Sequence, residues 1–145
     1  MDVNGILRAK GARVVTIEPD ATIDELVRGL REERIGAMVV SRDGRTIEGI
    51  VSERDVVRAL AERGAAVLGD RVADIMTTSV ATCGPDDPVK HVMSEMTRRR
   101  IRHLPVVDGG VLAGLVSIGD VVKNRLEEME TEANVLREAY LAGRR

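Results

Sequence analysis

The chain has 145 residues, 43% hydrophobic and 32% charged, with a net charge of -2, which fits one compact domain or two small halves sharing a core. No stretch approaches the ~18 apolar residues that span a bilayer, and the opening Met-Asp-Val-Asn-Gly lacks the basic-then-apolar layout of a secretory leader. The acidic balance gives no bulk attraction to nucleic acid or to an acidic membrane, and Tyr140 is the sole aromatic residue, so a bound ring would need aliphatic walls and backbone hydrogen bonds.

The first elements set a pattern that then recurs. Val3-x-x-Ile6-Leu7 reads as a brief helix or linker. Arg13 to Ile17 is β-branched and apolar, which predicts a strand, and Pro19-Asp20 stops it. Thr22 with Glu25 predicts a capping box for a helix over 23–33, its apolar face formed by Ile23, Leu26, Val27 and Leu30. Ala37 to Val40 reads as a buried strand, Arg42-Asp43-Gly44 as a turn and Ile47 to Val51 as the return strand. Ser52-Glu-Arg-Asp55 opens a second helix with Val56, Val57 and Leu60 on one face, ended near Gly64.

The same order then repeats. Val72-x-x-Ile75-Met76 leads in, Val80 to Cys83 reads as the strand, and Val89, Val92, Met93 and Met96 form a helix face, each 66 residues after its counterpart. Leu104 to Val107 and Val111 to Val116 predict a hairpin around Asp108-Gly109-Gly110. Gly49-Ile-Val-Ser-Glu-Arg-Asp55 is echoed by Gly114-Leu-Val-Ser-Ile-Gly-Asp120. An internal repeat of this length fixes the architecture before single residues are interpreted. It divides the chain into 1–66, 67–126 and a helical extension over 127–145. In the helix that runs on from Asp120 into that extension, Val122, Leu126, Met129, Ala133, Leu136 and Tyr140 form a heptad seam, which either packs along its own domain or against a second chain.

The sequence carries no visible set for catalysis. Its two histidines are His91, on the polar side of a helix, and His103; Cys83 replaces Ile17 and reads as a small core residue. A single cysteine also fits a reducing compartment, so a cytoplasmic location is expected. No zinc spacing, Walker motif or Gly-x-Gly-x-x-Gly occurs. The repeated Gly-apolar-Val-Ser-x-x-Asp lies at a strand-to-helix transition in both copies. Capping alone needs one of the two polar residues; keeping both suits a ligand with a phosphate for the serine and a sugar diol for the carboxylate. Arg102 and His103 precede a buried strand and read as facing a cleft, while Arg98 to Arg100 coat a helix end.

These motifs, with Thr-Ile-Glu-Pro-Asp20, Thr-Cys-Gly-Pro-Asp86 and Arg-His-Leu-Pro-Val106, resemble those of CBS domains. Residues 1 to about 126 look like a tandem pair, or Bateman module. The resemblance implies an α/β (α+β) fold of two β-α-β-β-α repeats with packed sheets, here with a C-terminal helix added. It implies a non-catalytic regulatory module, a homodimer that binds AMP, ADP or ATP, with NAD or S-adenosylmethionine also in range, and that signals to a protein partner the sequence does not name. It also implies clefts that cross the repeats. One would join Ser52, Glu53, Arg54 and Asp55 to Val80, Ala81, Ile101, Arg102, His103 and Pro105. The other would join Ser117, Ile118, Gly119 and Asp120 to Val14, Val15, Ile35, Gly36 and Ala37. Since Gly36-Ala37 replaces Arg102-His103 and Gly119 replaces Arg54, the phosphate-binding cations are expected to collect in the Asp55 cleft. That cleft is then expected to bind the phosphorylated nucleotide more tightly, leaving the Asp120 cleft to a less charged adenosyl ligand or empty. The competing reading is a structural or interaction protein with vestigial clefts that docks through its C-terminal helix.

Overall fold

A computed structural model describes residues 1–144 and has the expected mixed α/β organisation, with five α-helices, two short 3-10 turns and two small sheets. In chain order these are α1 (Val3–Lys10), β1 (Thr16–Ile17), α2 (Ile23–Glu33), β2 (Ala37–Val40), β3 (Gly49–Ser52) and α3 (Glu53–Arg63). The 3-10 turns Ala65–Gly69 and Val72–Asp74 follow, then α4 (Val89–Arg99), β4 (His103–Asp108), β5 (Val111–Ser117) and α5 (Ile118–Ala142).

Helix α2 begins and ends where its sequence pattern predicts. The Thr22 hydroxyl accepts the Glu25 N–H at 3.1 Å; the Glu25 carboxylate stays exposed, so only one half of the expected capping box forms. Ile23, Leu26 and Leu30 are buried, while Val27 lies at the edge of the face. The first sheet has order β1-β2-β3, with β1 parallel and β3 antiparallel to β2, and the second sheet is the β4-β5 hairpin.

The strand expected over 80–83 does not form. Cys83 makes a lone parallel bridge to β4, its N–H donating to the Pro105 carbonyl at 3.0 Å and its carbonyl accepting the Val107 N–H at 2.8 Å. The next rung would need an N–H at residue 105, and proline has none. In the first repeat Val39 holds that position, and the ladder continues through Thr16↔Val39. Even there it covers only Thr16–Ile17, shorter than the expected 13–17.

Two cores fill the repeats, and the lead-in segments are exchanged between them. Val3, Ile6 and Leu7 of α1 join Val89, Val92, Met96, Leu104 and Val116 of the second repeat. Val67, Val72, Ile75 and Met76 join Ile23, Leu26, Met38 and Val51 of the first. Backbone bonds fix both crossings: Val3 N–H donates to the Asp87 carbonyl at 3.0 Å, and Val72 N–H to the Ala21 carbonyl at 2.8 Å. The division at 66/67 thus follows the repeats in sequence, while the packing runs across it. Met38 and Val40 face the first core, so strand alternation turns Ala37 and Val39 to the opposite face. Both are buried there yet belong to neither core, which places them between the two sheets.

Helix α5 has two regimes. Its first turns pack on the body: Val121 and Asn124 are buried, Asn124 Nδ2 reaches Met1 Sδ, and the Met1 amino group lies 3.5 Å from Glu128. Beyond that, Leu126, Met129, Leu136 and Tyr140 are all more than half exposed. Among the described residues, nothing covers these four positions of the heptad seam.

Candidate functional site

Each Ser-x-x-Asp element sits at a strand-to-helix junction, Ser52 ending β3 and Ser117 ending β5. The Asp55 carboxylate accepts the Ser52 N–H at 2.8 Å and the Ser52 hydroxyl at 3.1 Å. Asp120 accepts the Ser117 N–H at 2.9 Å, while its own N–H donates to the Ser117 hydroxyl at 3.2 Å. Both are capping boxes. This corrects the argument that keeping both residues exceeds what capping requires: a reciprocal cap uses both. It engages one oxygen, Oδ2, of each carboxylate and leaves Oδ1 outside the cap.

The exchanged segments bring the two repeats together at these junctions. Ile50 of β3 pairs with Thr77 through two 2.9 Å backbone bonds, so the chain leading to Val80 and Ala81 runs beside the strand that ends in Ser52. Val80 and Ala81 are half-buried, and because Pro105 offers no N–H, the Ala81 carbonyl takes no rung from β4. On the other side, Leu115 of β5 is the counterpart of Ile50, and its carbonyl accepts Lys10 Nζ at 2.8 Å. The same ammonium lies 2.7 Å from Asp120 Oδ2.

At the starts of α3 and α5, Glu53 N–H donates to the Gly36 carbonyl at 3.0 Å and Ile118 N–H to the Arg102 carbonyl at 2.8 Å. These equivalent bonds tie each helix start to the residue before its own repeat's hairpin. A Cβ added at Gly36 would lie 3.4 Å from His103 Cε1 and 3.9 Å from Glu53 Oε2. The His103 ring therefore lies against Gly36, so residues expected in different clefts are neighbours. Burial holds the His103 pKa below the ordinary histidine value, and the nearby Lys10 charge adds to this against the opposing pull of Asp120 and Glu53.

Lys10 adds a cation beside Asp120 that a comparison of the two repeats does not include, because α1 packs on the second repeat and carries Lys10 there. Burial pushes the Asp120 carboxyl up, but the hydrogen bonds from Lys10 and Ser117, with the Lys10 charge, outweigh it and hold the pKa below the usual carboxylate value. The sequence signal for Lys10 was its place just ahead of Val14, hidden by reading that stretch as a lead-in. Arg54 and Arg102 are exposed and make no ion pair among the described residues.

The other expected site residues divide by orientation. Ala81, Ile101 and Ile118 pack against the second core, and Val15 and Ile35 against the first. Each is only partly buried, so part of each residue stays open to the surface. Ala37 and Pro105 are buried, Val14 and Gly36 half-buried, and Glu53 and Gly119 exposed. Cys83 is buried, its thiol pushed up to about 11 by that burial and by the Asp87 charge. Among the described residues, no group of His, Cys, Asp and Glu is arranged to hold a metal ion. No described helix is long and apolar enough to cross a membrane.

The family model for the CBS domain matches residues 10–62 and 72–127. Among solved structures, the CBS-domain-containing protein ATU1752 of Agrobacterium tumefaciens is 44% identical and superposes with a TM-score of 0.84 over 86% of this chain and 99% of its own. The CBS domain pair of protein MJ0100, in complex with 5′-methylthioadenosine and S-adenosyl-L-methionine, is 26% identical, with a TM-score of 0.78 over 88% of this chain and 98% of its own. CBS domain protein PAE2072 of Pyrobaculum aerophilum, complexed with AMP, is 33% identical, with a TM-score of 0.73 over 83% of this chain and 89% of its own.

Proposed function

The chain belongs to the CBS-domain family, and on that premise we propose that it is a regulatory module whose two clefts take an adenosyl ligand and report its presence to a protein partner. The observation that carries this reading is the pair of capped carboxylates, each with Oδ1 outside the cap and each beside the exchanged segment of the other repeat. A carboxylate so placed can accept both hydroxyls of a ribose. Arg54 and Arg102, exposed and without carboxylate partners among the described residues, supply charge for phosphates near Asp55. The ligands in the MJ0100 and PAE2072 structures are adenosyl compounds, which supports the same class here. AMP, ADP and ATP head the candidates, followed by NAD and S-adenosylmethionine. The reading contains no catalytic step. A buried free thiol supports a reducing compartment such as the cytoplasm.

A panel of AMP, ATP, NADH and S-adenosylmethionine tests the reading by thermal shift, because a ligand bound only to the native chain raises its melting temperature. At a hundredfold excess over Kd the stabilisation is about 2.7 kcal/mol, and Asp55→Ala with Asp120→Ala should abolish it. No shift with any member of the panel would reject the proposal.

One observation favours a second role for the same chain, a homodimer interface along α5. The exposed Leu126, Met129, Leu136 and Tyr140 continue the seam of a long helix, and a seam this short needs the globular part to support it. Removing residues after Leu126 should then abolish self-association in sedimentation while leaving the melting temperature of the body nearly unchanged. A truncated chain that still sediments as a dimer would place the interface elsewhere.

A further inference from the structure

The two clefts differ at equivalent carbonyls. Ile50 accepts a backbone N–H from Thr77, whereas Leu115 accepts the Lys10 ammonium. That ammonium simultaneously pairs with Asp120 Oδ2 at 2.7 Å, the same oxygen that caps α5. Asp55 carries no such cation; its hydrogen bonds among the described residues come from Ser52 alone. The Lys10 and Asp120 side chains are 37% and 23% exposed, so the pair is partly desolvated yet free to rearrange.

We propose that Lys10 is the specificity-determining residue of the Asp120 cleft, selecting adenosyl ligands that carry an anionic group over neutral ones. This rests on the adenosyl reading given above. A sugar diol that spans both Asp120 oxygens, one hydroxyl on each, must displace the ammonium from Oδ2. A phosphorylated ligand offers the ammonium a second anion, so one charge-assisted bond replaces another. A neutral ligand takes the carboxylate and returns nothing, and the broken ion pair stays uncompensated. Lysine suits the exchange because its charge sits on a flexible four-carbon stem with three rotatable donors. The direction is opposite to the one a count of arginines suggests, in which the cleft without Arg102 would take the less charged ligand.

Isothermal titration of AMP and of 5′-methylthioadenosine into the full chain carrying Asp55→Ala reads the Asp120 cleft by itself. With Lys10 present, AMP should bind about tenfold or more tightly than the neutral ligand, the factor expected of a hydrogen bond between charged groups. Lys10→Met should weaken AMP by about the same factor and tighten 5′-methylthioadenosine, closing or reversing the preference. Lys10→Gln, which keeps a donor for Leu115 but no charge, should do likewise, and Lys10→Arg should retain the preference. An unchanged ratio in Lys10→Met and Lys10→Gln, with both variants melting as the parent does, overturns the role of Lys10 alone. So does binding to the unaltered chain with none to the Asp55→Ala chain, because the Asp120 cleft then takes neither ligand. If neither ligand binds the unaltered chain, the adenosyl reading fails and the role of Lys10 falls with it.

Discussion

Gly49→Ala tests the exchange of lead-in segments where it is tightest. A Cβ at Gly49 would lie 2.7 Å from Met76 Sδ and 2.9 Å from the Thr77 carbonyl oxygen. The sulfur can swing away, since it ends a flexible side chain. The carbonyl cannot, because Thr77 and Ile50 hold each other through two 2.9 Å backbone bonds. Overpacking of this kind costs about 1–3 kcal/mol, and replacing a glycine returns about 0.4–1 kcal/mol through the unfolded chain where the backbone permits alanine. Gly49 is not among the glycines with positive φ, so that return applies. At mid-range the net loss is about 1.3 kcal/mol, which for a chain of this size lowers the melting temperature by about 3–5 °C. At the equivalent Gly114 the three atoms nearest the added Cβ all belong to the Leu7 side chain, at 2.7, 3.0 and 3.4 Å, so Gly114→Ala should cost less. Gly69, with nothing within 4 Å, gives a control expected to be neutral or slightly stabilised. Urea midpoints and melting curves of the three variants decide the matter. If Gly49→Ala melts at or above the parent, or Gly114→Ala costs more, the described crossing of the segments is wrong.

His103 and Cys83 supply two further tests. The folded-state pKa of His103 lies below the ordinary value of 6.5, chiefly through burial and then through Lys10. Below pH 6.5 the unfolded chain therefore binds a proton that the folded chain resists, so stability falls as pH drops through this window. His103→Gln should flatten that part of a plot of urea midpoint against pH; an unaltered slope would refute the assignment. Cys83, 7% exposed and with its thiol pushed up to about 11, should react with a disulfide reagent at pH 8 only as fast as the chain opens, and at once in denaturant. Rapid reaction of the native chain would show the thiol to be accessible.

The repeat, the order of elements and the extent of α2 were legible in the chain because they are local properties. A capping threonine, apolar residues at helical spacing and glycine turns act within a few residues of themselves. The Ser-x-x-Asp elements were legible for the same reason, although their spacing could not separate a cap from a ligand site. Only tertiary packing decided the rest. Pro105 broke a ladder that the apolar pattern of 80–83 had promised, since the loss is felt by the opposite strand. Lys10 stood in no motif, and came to lie beside Asp120 because α1 packs on the repeat that lies farther along the chain. His103 came to rest against Gly36 through a contact between repeats. Sequence determined which groups the two strand-to-helix junctions share, because both copies spell them out. Which charges lie beside each junction was decided by long-range packing, where a side chain's neighbours come from residues about a hundred positions away, as Lys10 and Asp120 do.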